Sequence, residues 1–88
     1  MQAKEIYEII LGLLKEKLNV NPYILTEENL DEPLTGRKFG FLARDLIYLF
    51  FEIEKKFNIE IDLAHLDEEK FNSINGIYQL VEEQISCG

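Results

Sequence analysis

The chain has 88 residues, of which 47% are hydrophobic, 11% aromatic and 30% charged. Residues 1–88 should form one domain with one modest core, because the apolar content is too high for a disordered chain and the length too short for two domains. Nine basic and seventeen acidic residues give a formal net charge of −8, which repels nucleic acid phosphates and attracts basic protein surfaces.

Cysteine usage and hydropathy indicate a compartment. The only cysteine, Cys87, lies beside the end of the chain, so no intrachain disulfide is possible and the sequence is compatible with a reducing cytosol. No apolar stretch approaches the roughly 20 residues that span a bilayer, and the first residues do not resemble an export signal. We therefore expect a cytoplasmic protein that binds neither membrane nor nucleic acid.

The first predicted helix covers residues 2–18. Its apolar residues recur every three or four positions, which is the period of one helical face. Asn19, Asn21 and Pro22 should end it, because Asn favours turns and Pro lacks a backbone N–H. A long connection, residues 19–40, follows, and its apolar residues are expected to pack on the core: Val20, Ile24, Leu25, Leu30 and Leu34.

The second predicted helix begins near Phe41 or Leu42 and ends at Phe57. One apolar face is marked by regular spacing, and its residues are Leu42, Leu46, Leu49, Ile53 and Phe57. The other sides also carry large apolar residues, more than a surface helix of a small domain normally buries. This helix is therefore either central in the fold or a binding surface; the residues concerned are Phe41, Ile47, Tyr48, Phe50 and Phe51.

The C-terminal part of the chain predicts two further helices. Residues 58–62 are interpreted as an extended connection, and the acidic residues Asp67, Glu68 and Glu69 favour the start of a short helix. Asn72 or Ser73 is expected to cap a last helix, with an apolar stripe of Ile74, Ile77, Tyr78, Val81 and Ile85. Three longer helices and one short helix predict an all-α, four-helix bundle.

The order of these elements and several short stretches of sequence resemble one protein family. Residues 50–61, with Phe57 and Ile59 after an acidic and apolar run, resemble the end of the second helix in the acyl carrier protein superfamily. Leu18-Asn19-Val20 and Ser73-Ile74 extend the similarity over nearly the whole chain. Residues 34–52 are similar to a subgroup, the acyl carrier-related proteins of bacterial peptide maturation systems.

Members of that superfamily carry a phosphopantetheine arm on a serine at the start of the second helix. In the register set by residues 53–57, Ala43 stands at the position of that serine, and residues 36–57 contain neither Ser nor Thr. Alanine has no hydroxyl and cannot form the phosphodiester, so the resemblance implies a carrier-like protein without a cofactor. The alternative is a functional acyl or peptidyl carrier with phosphopantetheine on a non-standard residue, for which Thr35 is the nearest, weak candidate.

The residues that could support chemistry form no catalytic or metal-binding set. His65 has no Ser, Cys or second His at a motif spacing, which argues against nucleophilic catalysis and zinc binding. Asp62 and the acidic residues 67–69 do not match a calcium loop, and a solvated acidic face is the preferred interpretation. We therefore expect no enzymatic activity and no metal site.

The function expected from the sequence is non-catalytic docking of biosynthetic or peptide-modifying proteins through the second helix. The resemblance implies this use of the helix, and its aromatic and basic residues supply candidate contacts. The acidic loop from Glu27 to Glu32 is expected to steer basic partners, and a homodimer is possible. The candidate partner-binding residues are Arg37, Lys38, Phe41, Arg44, Tyr48 and Phe51.

Overall fold

The computed structural model describes residues 2–62 and 71–87, and within these ranges the chain is helical and contains no strand. Its three α-helices are α1, Ala3–Lys17, α2, Ala43–Phe57, and α3, Ile74–Cys87. The predicted all-α class and the three longer helices are therefore confirmed. The short helix expected after Asp67 lies outside the described residues, so the four-helix count is still a prediction.

Helix α1 buries the predicted apolar stripe, with Ile6, Ile10, Leu13 and Leu14 in the core. The helix ends at Lys17, and Asn19, two residues later, has a left-handed φ of 55°. Asn adopts this conformation more readily than most residues because its short polar side chain can bond locally. The sequence signal for a helix end at this position is confirmed.

The long connection between α1 and α2 contains two short 3₁₀ helices, Pro22–Ile24 and Glu27–Asn29. Its apolar side chains pack on the core as predicted, since Val20 and Leu34 are buried and the other three are partly buried. Backbone bonds fix Leu34 further: its N–H donates to Asn72 O at 3.1 Å, and its carbonyl accepts from Phe41 N–H at 2.9 Å. The connection is thus part of the packed domain.

Helix α2 begins at Ala43, one or two residues after the predicted start near Phe41 or Leu42. Leu42 is the N-cap, and its backbone N–H donates to Asp45 Oδ2 at 2.8 Å. Leu42 was expected on the buried face, but its side chain is 55% exposed. The prediction is wrong because an N-cap residue has extended backbone angles, here φ −92° and ψ 166°, and its side chain does not follow the helical face.

Helix α1 packs against both α2 and α3. The largest fully buried side chains come from all three helices and from the long connection, and they are Ile10, Leu14, Leu34, Leu49, Ile53, Ile74, Ile77 and Val81. After α2, Asn58 turns the chain with a left-handed φ of 56°. Glu54 Oε2 then accepts from Ile61 N–H at 3.0 Å, which holds the extended connection against the helix that it leaves.

Helix α3 is capped as the sequence predicts. Ser73 Oγ accepts from Gly76 N–H at 3.0 Å, so Ser73 satisfies one of the free amides of the first turn. Within residues 2–62 and 71–87, none of the helices has both the length and the apolar content needed to cross a bilayer.

Candidate functional site

One side of α2 faces solvent although it carries large apolar residues. Ile47, Tyr48 and Phe51 are 46%, 41% and 49% exposed, and Arg44 and Lys55 are exposed at either end of the row that they form. With 3.6 residues per turn, these five positions lie on one side of the helix, away from the side that enters the core. We call this surface the docking face, and it consists of Arg44, Ile47, Tyr48, Phe51 and Lys55.

The docking face is unusual among the described residues. Their strongly exposed large apolar side chains are Tyr23, Leu42, Ile47, Tyr48 and Phe51, and three of these lie on the docking face. Tyr48 and Phe51 also line a shallow open groove, together with Glu52, Glu54 and Lys55. Clustered exposed apolar residues with a charged rim are typical of protein contact sites, whereas scattered ones are ordinary.

The charged side chains of α2 differ in whether they have partners within the domain. Its three carboxylates all have intramolecular partners: Asp45 accepts from Leu42 N–H, Glu54 accepts from Ile61 N–H, and Glu52 lies 3.5 Å from Lys55 Nζ. Arg44 has no ion pair or hydrogen bond within the part of the chain that the structure describes. The formal charges of the helix balance, but Arg44 and Lys55 are exposed whereas the three carboxylates are partly buried.

The helix register explains why adjacent phenylalanines differ. Phe50 is 4% exposed and packs in the core, whereas Phe51, one residue later, is 49% exposed. Consecutive helical residues differ by about 100° around the axis, so neighbours can point to opposite environments. The expectation that Phe50 fills the core and that Phe51 and Tyr48 stay exposed agrees with this arrangement.

Two other sequence candidates lie away from the docking face. Phe41 is only 7% exposed and contacts Phe39 edge-on, with ring centroids 6.0 Å apart. Its expected contact role is not compatible with this burial, because the backbone bond to Leu34 O holds the residue against the core before the helix begins. Lys38 is engaged within the domain, where its Nζ donates to Asn29 Oδ1 at 2.7 Å and lies 3.7 Å from Glu32.

Arg37 and the two candidate attachment positions are exposed. Ala43, which the acyl carrier resemblance would align with the carrier serine, is the first residue of α2 and is exposed. The Thr35 hydroxyl accepts from Asn72 Nδ2 at 2.8 Å, and the Thr35 N–H donates to Asn72 Oδ1 at 3.2 Å. This reciprocal pair of hydrogen bonds joins the long connection to the segment before α3.

Sequence reasoning left out Ile47 and Lys55 as contact residues. Both follow from the helical repeat, since Ile47 lies three residues after Arg44 and Lys55 lies four residues after Phe51. Ile47 belongs to the apolar residues that the second helix carries beyond one buried face. The spacing of three and four residues from Arg44 and Phe51 is the sequence signal that places both residues on the docking face.

A polar network outside α2 also joins distant segments. The Tyr7 hydroxyl donates to Asn75 Oδ1 at 2.5 Å, and Asn75 Nδ2 donates to Asp31 Oδ1 at 2.7 Å. The Tyr7 ring stacks on Tyr78, with centroids 4.3 Å apart. Burial, and then the nearby Asp31 and Glu82 carboxylates, raise the pKa of Tyr7 above 10.0, so the phenol stays protonated and holds α1, α3 and the connection together.

A second groove lies beside this network. It runs between α1 and the long connection, and its lining residues are Lys4, Tyr7, Glu8, Leu11, Leu25, Thr26, Glu27 and Leu30. The expectations for His65 and for Asp67, Glu68 and Glu69 concern positions outside the described residues.

Comparison with protein-family models and with curated proteins found no match to this chain. The similarity to acyl carrier proteins therefore depends on the residues and on the element order given above.

Proposed function

We propose that this chain is a non-catalytic, acyl carrier protein-like interaction module that docks partner proteins through α2 in a biosynthetic or peptide maturation system. The observation that carries the proposal is the docking face, where Ile47, Tyr48 and Phe51 stand together in solvent beside Arg44. The pathway class comes from the resemblance alone. Contact through this face would be non-covalent, since Ala43 offers no attachment oxygen.

The exposed area on this face is large enough to matter for binding. An aromatic side chain has roughly 150 to 250 Å² of surface, so Tyr48 and Phe51 each leave about 100 Å² accessible at the exposures observed. At about 25 cal/mol per Å², covering one of them would contribute roughly 2.5 kcal/mol before the costs of association. Tyr and Arg are also the residue types that most often dominate contact energies.

The acidic loop would act at longer range and less strongly than its composition indicates. Glu32 lies 3.7 Å from Lys38 Nζ, so its charge is partly compensated within the domain, and Asp31 accepts a hydrogen bond from the neutral Asn75 amide. Glu27 and Glu28 are exposed and leave the loop negative. Such charges mainly change the rate of encounter with a basic partner surface and contribute less to the final contact.

The test is capture of partner proteins from an extract of the cells that produce this protein, with wild type, Y48A/F51A and Y23A as baits. Tyr23 is 89% exposed and lies outside the docking face, so Y23A is a matched control for loss of an exposed aromatic. We expect proteins that wild type and Y23A retain and Y48A/F51A loses, while circular dichroism shows equal helix content. Equal capture by all three baits would refute docking through this face.

A further inference from the structure

The docking face has a charge pattern that selects among possible occupants. Arg44 stands at one end and Lys55 at the other, with Ile47, Tyr48 and Phe51 between them. Eleven residues at 1.5 Å per residue place the two cations about 16 Å apart along the helix axis. The exposed side chains of the face therefore run basic, apolar and basic, with the partly buried Glu52 and Glu54 beside them, within a chain whose net charge is −8.

From this pattern we propose that the docking face binds an amphipathic helical segment of another protein, with an apolar stripe bounded at both ends by Asp or Glu. The inference depends on the proposed docking function and adds the chemistry of the partner. A complementary segment would bury the three apolar side chains and place one carboxylate near Arg44 and another near Lys55. Arg44 in particular can form the bidentate contact with a carboxylate that Lys cannot.

The intramolecular pairs of α2 make an acidic partner the better fit. Asp45 and Glu54 each accept a backbone N–H bond and are partly buried, so a basic residue of a partner would reach them less easily than an acidic one would reach the exposed Arg44 and Lys55. Lys55 is weakly held by Glu52, because the two atoms are 3.5 Å apart and the Lys55 side chain is 75% exposed. An exposed ion pair of this kind contributes little stability, so Lys55 can turn to a new partner at small cost.

A second copy of the chain fits less well. In a two-fold symmetric dimer the same surface meets itself. Antiparallel packing of α2 centred between Tyr48 and Phe51 would bring Arg44 of each copy towards Lys55 of the other, and parallel packing would pair each cation with its own equivalent. Like charges meet in both cases, and the two chains also repel each other through their net charge of −8 each.

The size of the face matches a helix of about three turns, since about 16 Å corresponds to eleven helical residues. Recognition of such a helix uses apolar anchors at spacings of three and four residues, and Phe51 lies three residues after Tyr48 and four after Ile47. The acidic residues of the partner should be confined to this segment. A partner that is acidic throughout would be repelled by the net charge of the domain.

The experiment uses a display library of helical peptides with a fixed apolar stripe and randomised residues at the two flanking positions. Selection is carried out at about 0.15 M salt, where the screening length is about 8 Å and local contacts outweigh the net charge. Wild type, R44E/K55E and Y48A/F51A serve as targets, each checked for helix content by circular dichroism. Sequencing the retained peptides reports the preferred flanking charge.

We expect wild type to enrich Asp and Glu at the flanking positions, R44E/K55E to enrich Lys and Arg, and Y48A/F51A to lose enrichment. Peptides from the wild-type selection should bind R44E/K55E at least about tenfold more weakly, which is a modest effect for close charge pairs at an interface. Basic or charge-neutral flanks that still require Tyr48 and Phe51 would overturn the acidic-partner inference and leave the docking function intact. Enrichment that is unaffected by Y48A/F51A, or no enrichment at all, would overturn both.

Discussion

Phe50 and Phe51 provide a sharp test of the register of α2, because the same substitution at adjacent positions should have very different effects. Phe50 is 4% exposed in the core and Phe51 is 49% exposed on the docking face. Replacing a buried Phe by Ala costs about 3 to 5 kcal/mol, through lost burial and the cavity that forms. This is a large part of the roughly 4 to 13 kcal/mol expected for a domain of this size.

The loss at Phe51 should be small. About half of its side chain is already in water, so truncation forfeits roughly half of the 1.5 to 3 kcal/mol that a fully buried Phe contributes. Alanine is also the better helix former by about 0.5 kcal/mol. We therefore expect the free energy of unfolding to fall by about 0.5 kcal/mol in F51A and by at least about 3 kcal/mol in F50A.

Urea unfolding followed by circular dichroism measures this difference. With a typical slope of 1 to 3 kcal/mol per M, the midpoint should fall by at least about 1 M in F50A and by less than about 0.5 M in F51A. A Phe50 variant that is already unfolded without urea would agree with the reasoning. Equal losses, or a larger loss for F51A, would show that α2 is rotated and that the docking face is buried.

Two further predictions concern the polar network and the alternative of a phosphopantetheine attachment. Y7F keeps the stacked ring but removes the bond to Asn75, so stability should fall by about 1 kcal/mol and the melting temperature by about 4 to 8 °C. Because the folded-state pKa of Tyr7 lies above 10.0, its stabilising effect is complete below pH 10 and is lost as the pH rises through that pKa. Y7F should therefore lose less stability than wild type above pH 10. An unchanged pH profile of stability would refute this role of Tyr7. Incubation with coenzyme A and a promiscuous phosphopantetheinyl transferase should leave the intact mass unchanged beside a loaded carrier-protein control, and a gain of one phosphopantetheine, located by fragmentation at Thr35 or elsewhere, would restore the carrier alternative.

The sequence predicted the features of this domain that follow from helical periodicity. The stripe of Leu46, Leu49 and Ile53 forms one side of α2 and is buried as expected. Asn19 and Ser73 end α1 and begin α3 through local backbone preferences that depend on a few neighbouring residues.

Features that depend on contacts between distant segments were not predicted. Phe41 belongs to the core because the backbone of Leu34 holds it there, and no local pattern reports that pairing. The Thr35 contact with Asn72 joins residues 37 positions apart, and Lys38 is held by the buried Asn29. These tertiary contacts decide which of the basic and hydroxyl side chains before α2 are free for function.

The most direct test of docking through α2 is site-specific crosslinking in the cells that produce the protein. A photo-crosslinking amino acid is placed at Ile47, at the centre of the docking face, or at Tyr23, which is exposed and outside it. Docking through this face predicts a covalent adduct with a partner protein from position 47 and none of the same mass from position 23. Adducts from position 23 alone, or equal adducts from both positions, would contradict it.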